Sequence, residues 1–276
     1  MSETYLIVNA DDYGANHAHN VAVAQAFTEG ILTTAEIMVP SPWFAEGIAL
    51  AKQHRIPLGI HLTLTCEYQA YQFGPLTRSP ELSIDGKGYV FFPTATDIPS
   101  DQGHAITTEL SAQFDRMIAA GIQPTHMVDH MHVCPRSDYA FSNSLRDLYR
   151  AYKTLYVDLD MLYPKNDIRD VGRLPVTSIF GLSSPVSFEE KKAKLLQYVE
   201  SISDGIHFAR AHPAANHVEM DATLAPDNWG TSTRYTDLLV LCDREVKARI
   251  HELGIRLINV TQATQITGTR YSNSQL

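Results

Sequence analysis

The chain reads as one α/β domain, 1–276, whose parallel strands curl into a distorted (β/α) TIM-like barrel of seven or eight. Three observations predict this. Short apolar runs alternate with longer amphipathic ones. The short runs are near-continuously apolar, as strands covered on both faces are. No Gly/Ser-rich linker divides the chain. An open doubly wound sheet is the alternative. Neither G-x-G-x-x-G nor a P-loop follows the first strand, so nucleotide-binding versions lose their usual support.

Taken in order, strands are expected at Tyr5–Ala10, Thr34–Val39, Leu58–Leu64, His126–His132, Leu155–Leu159, Val176–Phe180, Ile206–His212 and Arg256–Val260. Helices are expected at His17–Glu29, Pro42–His54, Ala105–Ala120, Asp138–Tyr152, Phe188–Ser201 and Asp237–Leu253. Asn16 is the expected N-cap of the first. Gly30, Gly121 and Gly254 each follow a helical run, where stop signals fall. In Ala105–Ala120, Ile106, Leu110, Phe114, Met117 and Ile118 recur at helical spacing. The stretch about 66–103 carries four prolines and reads as a long loop insertion, a cover for a site or a disordered segment.

Composition narrows the function. Hydrophobic residues at 44% and charged residues at 19% predict a packed core. A net charge of −9 opposes a nucleic-acid partner. No run approaches the roughly 20 apolar residues of a membrane span. The opening residues read directly into a strand, so no signal peptide is expected, and Cys66, Cys134 and Cys242 are odd in number and far apart. A cytoplasmic protein without a disulfide framework is expected.

Polar residues gather where the strands end. Asp11 and Asp12 follow the first strand, in Asn9-Ala10-Asp11-Asp12-Tyr13. His61 lies in the third, Asp129, His130 and His132 in the fourth, and His212 ends the seventh. The carboxyl ends of parallel strands carry active sites. Paired carboxylates at the mouth of a buried strand hold a metal, share a proton or do acid–base chemistry. The plain reading of one aspartate is a helix cap, which leaves the other unexplained. A carboxylate with two imidazoles leaves open positions on a divalent metal. The second aspartate would then take a proton from water, and a late histidine would protonate the leaving group.

Plainer readings stand beside these. His61 alone would be a hydrogen-bonded core histidine. Residues 126, 128, 130 and 132 share a strand face, with Asp129 on the other and His126 structural. His17 and His19 are expected on a helix surface, His207 lies deep in its strand, and Cys134 reads as a small buried hydrophobe. Trp43 fits either the core or a sugar face, whereas Trp229, in a polar, turn-rich stretch, is expected to face substrate. Tyr68 and Phe73 are lid candidates.

In order along residues 5–260, these residues resemble the YdjC-like carbohydrate deacetylase family, which includes chitooligosaccharide deacetylases. Asn9-Ala10-Asp11-Asp12-Tyr13-Gly14 resembles its N-A-D-D-F/Y-G signature. Gly30–Thr34 resembles G-I-[LV]-T-S/T, and Gly59–Thr65 resembles G-x-H-L-T-L-T. Pro124-Thr125-His126 and Ala211-His212-Pro213 resemble its P-T-H and late H-P. One segment departs: the family's T-H-x-D-S-H-H-H-V-H is Thr125–Cys134 here, with the aspartate moved one position and Met131 and Cys134 replacing histidines.

The resemblance implies one divalent metal, Mg2+ or Zn2+, on Asp12, His61 and His130, with Asp11 as general base and His212 as general acid. Trp229, Trp43 and His132 are the expected substrate contacts. The implied substrate is an N-acetylated amino sugar or chitooligosaccharide, its acetamide attacked by a metal-bound water, and the implied assembly is a homodimer. Two other readings remain: another metal-dependent sugar enzyme (isomerase or phosphoesterase), or a non-catalytic carbohydrate-binding relative.

Overall fold

Strand β1 (Thr4–Tyr13) is the middle of the sheet, because three neighbours pair with it. The others are β2 (Thr34–Ile37), β3 (Leu58–Leu62), β4 (Met127–Asp129), β5 (Ser178–Gly181), β6 (Gly205–Ala211) and β7 (Arg256–Leu257). They form one seven-stranded sheet in the order β4-β3-β2-β1-β6-β5, with β7 beside the start of β1. Every pairing is parallel. The computed structural model describes residues 3–99, 101–132, 139–157, 171–223 and 230–268.

The sheet curls. Tyr156 pairs with Met127 at one end and with Arg173 beyond it. The Leu174 N–H donates to the Tyr156 carbonyl at 3.1 Å, and the Thr177 N–H donates to Ile206 at the other end. One extended stretch before β5 therefore touches both ends of the sheet. The result is a single α/β domain with a curled parallel sheet, as the strand–helix alternation predicts.

Alternation along β1 sorts its residues between two apolar clusters. Leu6, Val8 and Ala10 join the large cluster shared with the helices. Ile7 joins a smaller one with Val128, Leu155, Leu174 and Phe208, contributed from around the curl. Cross-strand register puts Asn9 beside Arg210 on the same face as Ile7 and Phe208. Continued one step, that inner face presents Asp11 and His212 at the carboxyl end.

The helices are α1 (His17–Glu29), α2 (Phe44–His54), α3 (Gly103–Ala119), α4 (Tyr139–Tyr152), α5 (Phe188–Ser201), α6 (Val218–Thr223), α7 (Thr231–Leu241), α8 (Arg244–Glu252) and α9 (Val260–Thr267). Asn16 caps α1 as expected, its side chain accepting from the His19 N–H at 2.9 Å. The helix expected over Asp237–Leu253 is two helices. Asp243 breaks it, its carboxylate accepting from Glu245 and Val246 N–H as the cap of α8. The strand expected over Arg256–Val260 stops after two residues, because Asn259 and Gln262 form a capping box that starts α9.

Two further expectations change. The strand expected over His126–His132 ends at Asp129, and His130–His132 form a 3₁₀ turn with Met131 at φ 56°. The described residues of 66–103 pack onto the large cluster. Tyr68, Phe73, Leu82 and Phe91 are buried there, so Tyr68 and Phe73 are packing residues rather than a mobile lid. Residues 158–159 of the expected fifth strand lie outside the described residues.

Candidate metal and proton-transfer site

Adjacent residues of a regular strand point to opposite faces, so Asp11 and Asp12 need an irregular backbone to reach one site. The structure has one. Ala10 pairs with Ala35 and Tyr13 with Ile37, so β1 carries one extra residue against β2. Asp12 takes φ 60°, a conformation that Asp adopts more readily than most residues. The bulge delivers both carboxylates, each 2% exposed, to the carboxyl end of the sheet.

Asp12 meets two histidines from the neighbouring strand ends. Its Oδ1 lies 3.6 Å from His61 Nε2 and 3.3 Å from His130 Nδ1, and the two nitrogens are 3.2 Å apart. Donors held about 2.0–2.2 Å from a tetrahedral cation lie about 3.3–3.6 Å from one another, so this triangle has the size of a metal site. Asp12 Oδ1 is buried and has no hydrogen-bond partner among the described residues. Its Oδ2 accepts from Arg234 Nη1 of α7 at 2.8 Å.

The outward nitrogens of both rings face carboxylates. His61 Nδ1 lies 3.1 Å from Glu36 Oε2, and His130 Nε2 lies 3.0 Å from Glu67 Oε2. A carboxylate behind each imidazole fixes which nitrogen is left for a metal. A divalent ion fits this donor set. A second group, Asp11, Glu36 and His61, is also close enough to share a cation.

Glu36 is fully buried and is held from below. His126 Nε2 lies 3.0 Å from Glu36 Oε1, while Thr125 Oγ1 meets His126 Nδ1 at 2.9 Å. The His126 ring crosses β3 over Gly59, where a Cβ would lie 2.5 Å from it. His126 is structural, as expected, but it supports the site from beneath.

The electrostatics follow from burial. Burial, then Glu36, pushes Asp11 up to about 7 against the pull of His61 and Arg210. Burial also raises Asp12, but Arg234 and the two histidines outweigh it and hold Asp12 well below the usual carboxylate range. Burial lowers His130, yet Glu67 and Asp12 carry it up to about 9. Burial and nearby arginines push His212 well below an ordinary histidine.

Asp11 Oδ1 accepts from Asn9 Nδ2 at 2.7 Å, and its Oδ2 lies 3.4 Å from His212 Nε2. The five expected residues Asp11, Asp12, His61, His130 and His212 therefore converge. His212 stands on the Asp11 side and is 23% exposed in its side chain.

The expected substrate contacts fare differently. Trp43 is half-buried at the start of α2, its ring 5.5 Å from that of His17, which lies 5.9 Å from His217. Trp229 and the His132 side chain lie outside the described residues. His19 corrects the surface expectation: it is fully buried, and its Nδ1–H donates to the Pro213 carbonyl at 2.9 Å. His207 is bound by Ser178 and Ser203, away from the site. Glu36, Glu67, Arg210, Arg234, Ser183 and Asp237 were not read from the sequence. Their partners lie on other elements, and only a charged Glu36 inside an apolar strand offered a signal.

A curled parallel sheet gathers an Asp-His-His triangle and an Asp–His pair at its strand ends, the donor and proton-transfer groups of a candidate metal-assisted catalytic site. The chain belongs to the YdjC-like protein family, whose model matches residues 5–252. It is 28% identical over 258 residues to a protein from Brevibacillus brevis named carbohydrate deacetylase, covering 93% of this chain and 98% of that one. A Geobacillus stearothermophilus protein of the same name is 29% identical over 263 residues, covering 92% and 96%. Among solved structures, an Enterococcus faecalis V583 protein named for cellobiose-phosphate cleavage shares the fold, with TM-score 0.78 and 22% identity over 95% of this chain and 99% of that one. No helix among the described residues is long and apolar enough to cross a membrane.

Proposed function

We propose that this protein is a metal-dependent carbohydrate deacetylase that removes the N-acetyl group from an amino sugar or its oligosaccharide. The observation that carries the reading is the Asp12–His61–His130 triangle set beside the Asp11–His212 pair. The names of the full-length relatives support the same class.

Asp12, His61 and His130 would hold the ion, with Glu36 and Glu67 orienting the two imidazoles. Two imidazoles and a carboxylate suit zinc, and magnesium is the other candidate. When bound, the ion supplies Lewis-acid polarisation of the acetamide carbonyl and acidifies a water. Asp11 takes the proton of the attacking water, a task its raised affinity suits near neutral pH. Asp11 Oδ2 faces His212 Nε2 at 3.4 Å, so the proton taken from the water passes to that nitrogen and from it to the departing amine, and a neutral amino sugar leaves. Trp43, His17 and His217 form an aromatic edge after β2, β1 and β6 on which a sugar ring can stack.

The test is acetate release. Purified protein, stripped with a chelator and reloaded with zinc or magnesium, should release acetate from N-acetylated chitooligosaccharides or a related sugar. A metal-replete protein that frees no acetate from any acetylated carbohydrate would sink the proposal.

A further inference from the structure

We propose that Ser183, held by the buried Lys191–Asp237 pair, is a positioning residue that fixes the tautomer of His212: hydrogen on Nδ1, lone pair on Nε2. The argument is a count of hydrogens. Lys191 and Asp237 are both fully buried. The Lys191 ammonium donates to the Thr233 carbonyl at 2.8 Å, to Thr236 Oγ1 at 2.8 Å and to Asp237 Oδ1, which uses all three of its hydrogens. Asp237 Oδ2 accepts the backbone N–H of His212 at 2.9 Å and the hydroxyl of Ser183.

Ser183 has one hydroxyl hydrogen, and Asp237 receives it. Toward His212 Nδ1, at 2.7 Å, the Ser183 oxygen can therefore only accept. Nδ1 must carry the hydrogen. Nε2 is left as the lone-pair nitrogen, on the side of Asp11 Oδ2. Ser183 follows β5, His212 follows β6, Lys191 is on α5 and Asp237 on α7, so four elements converge on one ring.

The consequence for chemistry rests on the reading of His212 as the proton donor. A proton taken up at Nε2 leaves again from Nε2 to the departing amine, and Nδ1 keeps its own hydrogen throughout.

The tautomer itself can be read without any substrate. Long-range ¹H–¹⁵N spectra of metal-free protein carrying ¹⁵N-histidine, with His212 assigned by its loss in His212→Gln, should show Nδ1 as the protonated nitrogen and Nε2 as the bare one. In Ser183→Ala that signature should become a mixture of tautomers, and Ser183→Thr should restore it. On an active substrate Ser183→Ala should lower kcat about tenfold, the equivalent of one hydrogen bond, with zinc affinity unchanged. A wild-type spectrum with hydrogen on Nε2, or a Ser183→Ala spectrum identical to wild type, overturns the proposal. If the tautomer is as stated but no acetate is released, the deacetylase reading fails and this one stands.

Discussion

Arg234 Nη1 donates to Asp12 Oδ2 at 2.8 Å, tying helix α7 to the end of β1 across 222 residues. The pair is almost wholly buried, with side chains 9% and 3% exposed. Replacing Arg234 by Met removes the guanidinium from Asp12 Oδ2 and leaves only the histidine side of the carboxylate paired, and breaking such a buried pair costs about 3–5 kcal/mol. Urea unfolding of the metal-free protein should show that loss. Saturating zinc should return part of it, since the ion would supply positive charge to the same carboxylate. An unchanged midpoint in Arg234→Met would mean the contact does not stabilise the fold.

Asp11→Asn should keep metal binding intact and lower kcat by about 10²–10⁴, the range for a lost general base. Because Asp11 is raised to about 7, it is protonated and inactive below that pH. Wild-type kcat/KM should therefore climb as pH rises through about 7 and level off above it. A flat profile from pH 5 to 9 contradicts the assignment.

His19 makes stability depend on pH. Burial, then Arg234, pushes it down to about 4, so the folded protein holds it neutral. Between about 4 and the ordinary value of about 6.5, the unfolded chain binds the proton and the folded one does not. Its contribution is complete above about 6.5, declines as pH falls through that window and changes no further below 4. The full span is about 3 kcal/mol. His19→Gln should flatten this part of the stability–pH curve; an unaltered slope would remove His19 as its source.

Gly59→Ala tests the support beneath the site. The added methyl would lie 2.5 Å from the His126 ring, which must move off Glu36. Overpacking of this kind costs about 1–3 kcal/mol. Weaker zinc binding should accompany it, measured by chelator competition, because Glu36 would lose its partner under His61. Stability lost with zinc affinity intact would separate His126 from the metal site.

Position along strands made much of this site legible in advance. Asp11, Asp12, His61, His130 and His212 stand at strand ends, and parallel pairing brings all such ends together. Glu36 was hidden because it sits within an apolar run and its partners lie on other strands. Arg234, Ser183 and Asp237 come from helices and loops whose placement depends on packing, not on local pattern. The early end of β4 was not foreseen because alternation continues through His130–His132 in sequence while Met131 turns the backbone. Tyr68 and Phe73 looked like a lid because aromatic loop residues serve both purposes, and only burial decides between them.

The extra residue in β1 gives two chemically identical side chains separate jobs at one site. In a regular strand Asp11 and Asp12 would face opposite sides of the sheet, and the turn at Asp12 brings both to the same end with different partners. Exchanging their identities is therefore impossible by mutation, since each is already aspartate; the information resides in chain length. Deleting one residue between Ala10 and Tyr13 would restore even pairing with β2 and leave room for a single carboxylate. Such a protein would have to choose between a ligand and a base, whatever residue filled the place.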